Sequence, residues 1–112
     1  MSKKKTIRKN FRTIVFKRDN YSCLCCGKKS DEKYAESELD AHHITDRNKI
    51  ENGGYVKENG ITLCVICHLK AEEFQKTGMS LIGFGTEDLY EKIGSSYECA
   101  VKESRKSAFV NI

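Results

Sequence analysis

The sequence predicts a small α+β domain, with two short strands and a helix at its centre, a zinc staple, and further helices on either side. Three observations point there. Two Cys-x-x-Cys pairs, Cys23/Cys26 and Cys64/Cys67, bracket the middle of the 112-residue chain. The apolar content is only 38%, with five Tyr, five Phe and no Trp; a chain of this size forms one domain, and so small a core calls for a staple. Between and after the cysteine pairs, two short apolar runs are followed by a helix-forming stretch.

Taken in order, residues 1–9 are basic and poor in apolar side chains, which predicts a flexible arm. A helix is expected over 10–18, with Asn10 as N-cap and Phe11, Ile14 and Val15 at core-facing spacing. Arg12, Lys17 and Arg18 then lie at or beyond the edge of that face. The helix ends at the turn formers Asp19 and Asn20. Next comes Cys23-Leu24-Cys25-Cys26-Gly27, a knuckle whose tight turn aims two sulfurs at one ion, with Gly27 free to leave at positive φ. Cys25 leaves a second register open; the two-residue spacing and the following Gly favour Cys23 with Cys26.

Residues 30–38 are polar and acidic and read as a surface loop. Leu39 to Ile44 reads as a strand, 45–60 as a long Asn/Gly-rich loop, and Ile61 to Leu63 as a second strand. A helix is expected from about Cys67 to Thr77, with Leu69 and Phe74 as apolar contacts and Gly78 as its stop. Thr86 is expected to cap a short helix over 87–93. A last helix runs from Ser95 or Ser96 to about Ser104, with Cys99 as a small core residue.

Charge is uneven. Residues 1–29 carry ten Lys/Arg against Asp19 alone, a balance of +9, while residues 30–112 carry ten against fifteen acids, a balance of −5. A basic segment on a mildly acidic body suits an anionic partner, nucleic acid above all. No apolar run approaches the roughly 18–20 residues that span a bilayer, and no apolar stretch follows the basic N-terminus. The expectation is a cytoplasmic protein without membrane attachment. Thiols stay reduced there, and Cys-x-x-Cys pairs hold metal rather than form disulfides. Four thiolates match the tetrahedral preference of a structural Zn²⁺, and a closed site of that kind leaves no position for chemistry.

All three histidines fall between residues 42 and 68. His42 and His43 are neighbours at the end of a strand, so they point to opposite faces and should have different tasks. His68 directly follows the second knuckle.

With Leu39-Asp40-Ala41-His42-His43-Ile44, Glu58-Asn59-Gly60-Ile61-Thr62-Leu63-Cys64 and Cys67-His68, the chain resembles the HNH endonucleases, a branch of the ββα-metal (His-Me finger) nucleases. The run Phe16 to Cys23 also resembles the approach to that family's first knuckle, and the likeness covers about residues 11–76. The short length and basic arm resemble small phage-borne, homing-type members. The resemblance implies an HNH nuclease domain over 10–78 and a helical extension over 79–112 that packs on it. It implies a DNA endonuclease in which His43 activates water and Asn59 orients His43 by a side-chain or backbone hydrogen bond. His42 and His68 would bind a divalent ion, with Glu72 one helical turn on as a further ligand candidate. Mg²⁺ or Mn²⁺ is the implied ion, although imidazole ligands also suit Ni²⁺, Co²⁺ and Zn²⁺. Arg47, Arg12, Lys17 and Arg18 are the expected phosphate contacts.

A non-catalytic zinc-ribbon binder of nucleic acid, or a redox or metal sensor, would explain the cysteines but leave His42, His43, Asn59 and His68 as coincidences. No DNA-reading module is recognisable in the sequence. Specificity would then be loose or come from a phage or host protein partner, and cutting both strands would take a homodimer or two nicks by a monomer.

Overall fold

Two strands form the centre of the computed structural model, which describes residues 3–106. β1, Leu39–His43, and β2, Gly60–Cys64, pair antiparallel, with Leu39 opposite Cys64 and His43 opposite Gly60. Side chains alternate across the pair. Helix α1, Lys3–Arg18, lies on one face, where Thr62 Oγ1 donates to Val15 O at 3.4 Å. Helix α3, Val65–Thr77, takes the other, where His68 meets His42. Every residue of β2 is buried, and burying Ile61 and Leu63 contributes about 1.5–3 kcal/mol each. Gly60 permits the close approach of α1: a Cβ there would lie 2.5 Å from Val15 Cγ2 and 2.7 Å from Phe11 Cζ.

α1 begins at Lys3, not at Asn10, so within the described residues the expected basic arm is helical. The reason is Ile7. It extends the buried stripe of Phe11 and Val15 back by one turn, and the intervening Lys and Arg are good helix formers. Ile14, expected in the core, is half exposed; Phe16 is buried in its place.

The end of α1 is bolted to β2. Asp19 is buried and its Oδ2 accepts from Thr62 N at 2.8 Å. Arg18 bonds the same carboxylate and also donates to Lys57 O and Gly60 O, both at 2.6 Å. A guanidinium held by a carboxylate and two carbonyls is a structural clamp.

The polar stretch 30–38 contains a short helix, α2, Ala35–Glu38, anchored by the buried Ala35. α3 starts two residues earlier than expected because the Cys64 side chain caps it, accepting from Cys67 N. Cys67 and Ala71 form its buried side, whereas Leu69 faces outward. α4, Thr86–Lys92, has Gly85 rather than Thr86 at its N-cap, and Gly85 N donates to Asp88 Oδ2 at 3.1 Å. α5, Tyr97–Arg105, is capped by Ser96.

Leu89, Tyr90 and Ala100 from these last helices join the same core as Leu39, Ile61 and Leu63. They also brace the long loop: Asn52 Nδ2 donates to Ser104 O at 2.7 Å, and Ser95 Oγ to Glu58 O at 2.9 Å. No helix of the described residues is long and apolar enough to cross a membrane.

Candidate functional site

The four knuckle cysteines converge. One sulfur from each of Cys23, Cys26, Cys64 and Cys67 lies within 4.8 Å of all the others, and Cys26 Sγ and Cys64 Sγ are 3.6 Å apart. Tetrahedral thiolates with Zn–S bonds of about 2.3 Å sit about 3.8 Å from one another, so the set fits zinc. Backbone amides support the thiolates: Cys26 N donates to Cys23 Sγ and Cys67 N to Cys64 Sγ, each at 3.5 Å. Burial would raise the Cys23 thiol, but amides of Cys26, Cys64 and Cys25 outweigh it and bring the pKa to about 7. Gly27 leaves the knuckle at φ +81°, as its sequence position suggests. Cys25 stands outside the cluster, and burial pushes its thiol up to about 11.

β1 separates the two adjacent histidines. His43 turns toward α1 and stacks on Phe11, with centroids 4.5 Å apart and 23° between planes. His42 turns toward α3, its ring 5.0 Å from that of His68. His42 is only 4% exposed. Burial, then the neighbouring His68 and His43, pulls its pKa down to about 3. For His43, burial and then the charge of Arg47 lower it to about 4, with Asp46 opposing. Both rings are therefore neutral at neutral pH. His43 Nε2 is buried without a hydrogen-bond partner, an arrangement that costs about 1–3 kcal/mol.

His68 is held at both nitrogens, Nδ1 at 3.0 Å from Asp40 Oδ2 and Nε2 at 3.1 Å from Glu72 Oε1. Carboxylates on an imidazole fix its orientation, as they do beside bound metals. His42 and His68, with Asp40 and Glu72 alongside, are nitrogen and oxygen donors that fit a divalent ion. Among the described residues, no third ligand closes on the histidine pair as tightly as the cysteines close on one another.

Asn59 is fully buried. Its Oδ1 accepts from Thr45 N at 2.9 Å and from the Tyr90 hydroxyl at 2.7 Å, and its Nδ2 donates to Thr45 O and Gly54 O. The amide is saturated by these four partners and does not reach the His43 ring. It fixes the loop that leaves β1, while its carbonyl accepts from Ile44 N at 2.9 Å. Of the two expected routes to His43, side chain or backbone, these bonds leave it the backbone.

A cleft of about 360 Å³ runs along the outer edge of β1 from α1 to α3. His43 and His68 line it together with Arg8, Arg12, Arg47, Asp40 and Tyr55. Arg12 pairs with Glu36 at 3.2 Å, an exposed contact of little strength. Lys17 is exposed on α1 outside that cleft. Sequence reasoning missed Arg8, Tyr55 and Asp40. The first was legible in retrospect, since Lys4, Arg8 and Arg12 recur every four residues beside the buried Ile7, Phe11 and Val15.

No curated protein and no solved structure matched the chain. The model of the HNH endonuclease family does match, over residues 23–74, which hold both cysteine pairs and all three histidines. Residues 23–74 are thus identified as an HNH endonuclease domain.

Proposed function

We propose that this domain is a metal-dependent DNA endonuclease that hydrolyses backbone phosphodiesters, with His43 as the base. One observation supports this reading above the others. A neutral imidazole, His43, lines a cleft that also holds His68 and three arginines, so a proton acceptor and cationic groups meet in one place. A neutral imidazole takes a proton from an attacking water, which typically contributes 10²–10⁴-fold to rate. Phe11 and Tyr55 hold the ring from two sides, and Asn59 keeps the following loop in place. Arg47 and Arg12, with Lys17 further along α1, would position the DNA backbone.

Mg²⁺ or Mn²⁺ held by His42 and His68, with Glu72 beside them, would supply charge stabilisation at the scissile phosphate and its leaving oxygen. Zn²⁺ at Cys23, Cys26, Cys64 and Cys67 would hold the two knuckles together and take no part in the chemistry. The protein would work in the cytoplasm, as a monomer nicking one strand at a time or as a homodimer cutting both.

Supercoiled plasmid tests the reading. Zinc-loaded protein should convert it to the nicked or linear form with Mg²⁺ or Mn²⁺, and not without added divalent ion. Binding of the plasmid without cleavage under any divalent ion would instead make the domain a non-catalytic binder.

A further inference from the structure

Arg8, Arg47 and Tyr55 stand where two clefts meet. They line the cleft beside His43 and also a neighbouring one of about 480 Å³ that extends toward Lys4 and Asn48. Arg8 comes from α1, Arg47 from the short 3₁₀ turn Arg47–Lys49, and Tyr55 from the loop that follows. The Tyr55 ring is fixed edge-on against His43 (4.7 Å, 88°) and against Phe11 (5.7 Å, 85°).

Arg8, Arg47 and Tyr55 line both clefts together. Burial would raise the phenol, yet hydrogen bonding from Arg47 and Arg8 outweighs it and holds its pKa below the ordinary value. Among the described residues, Arg12, Arg18 and Arg105 each pair with a carboxylate, whereas neither Arg8 nor Arg47 does. Two like charges lining one cleft repel each other, and an anion placed between them removes that penalty. Planar guanidinium forks are matched to phosphate oxygens in particular.

We propose that Arg8, Arg47 and Tyr55 form a phosphate subsite that receives the non-bridging oxygens of a DNA backbone phosphate next to His43. Helix α1 is then part of the nucleic-acid interface as well as a support for the sheet. The inference rests on the nuclease reading of the cleft and deepens it.

The test is binding of a labelled DNA duplex by zinc-loaded protein over a KCl series, without added divalent ion. Loss of one phosphate contact flattens the slope of log K against log[KCl] by about 0.9. The Arg8→Ala/Arg47→Ala double variant should show that change, and the Arg8→Lys/Arg47→Lys pair should restore the slope. Tyr55→Phe should weaken binding at each salt concentration while keeping the slope. Should the double variant lose helix content, each single alanine variant is read against its lysine counterpart in the same way. A wild-type slope in the alanine variants overturns the subsite, and the nuclease reading survives if the wild type still cuts plasmid. A wild type that does not bind DNA overturns both.

Discussion

The imidazole of His43 lies against the ring of Phe11, with 4.5 Å between centroids and 23° between planes. One contact thus joins the helix α1 to the end of β1, and the same phenylalanine is 3% exposed in the core. Phe11→Ala should lower stability by about 3–5 kcal/mol, the range for emptying a buried aromatic site. It should also slow nicking in variants that remain folded, because His43 loses one wall. Urea unfolding and plasmid nicking measure the two effects separately.

The cysteine register makes a sharp contrast. Cys26→Ser should abolish stoichiometric zinc and unfold the domain, whereas Cys25→Ser should keep one zinc per chain, since Cys25 is outside the sulfur cluster. Native mass spectrometry and circular dichroism provide the readout. A folded, reduced wild type carrying far less than one zinc per chain would remove the staple.

Asn59 holds four hydrogen bonds in a fully buried position. Asn59→Ala leaves the Thr45 amide and carbonyl and the Gly54 carbonyl without that partner. Each buried unsatisfied group costs about 1–3 kcal/mol, so a loss of at least about 2 kcal/mol is expected. Tyr90→Phe removes one of the four bonds and should cost about 1 kcal/mol. Equal effects from the two variants would contradict the clasp around Thr45.

Acid should weaken the fold through His43. Its folded pKa of about 4 lies below the unfolded value of about 6.5, so the unfolded chain binds the proton more readily between those pH values. This contribution to stability is complete above about pH 6.5 and is lost as pH falls toward 4. The His43→Gln variant, which has no such group, should show a shallower dependence across that window. The difference should reach no more than about 1.4 kcal/mol per pH unit. Zinc release by acid affects both proteins alike and cancels. Parallel curves would show that burial does not depress this histidine.

What the sequence made legible follows the physics of each feature. The cysteine pairs stand out because ligand spacing is a local property, and the two histidines were assigned opposite faces because strand alternation is one too. Gly78 marked the end of α3 for the same reason. Ile7 was overlooked since a single apolar residue among lysines carries no period until Phe11 and Val15 are known to share its face. Arg18 looked like a surface cation because its acceptors, Lys57 O and Gly60 O, are backbone atoms about forty residues away. Asn59 and Tyr90 were likewise too distant in sequence for their bond to be foreseen. Tyr55 had no motif to announce it; only the packing of α1 against the loop puts it between two arginines.

The proposed role of His43 as base is read most directly from the single-turnover nicking rate of His43→Ala with saturating Mn²⁺. A fall of about 10²–10⁴-fold is expected, with zinc content and plasmid affinity close to wild type. A His43→Ala protein that nicks plasmid as fast as the wild type would contradict it.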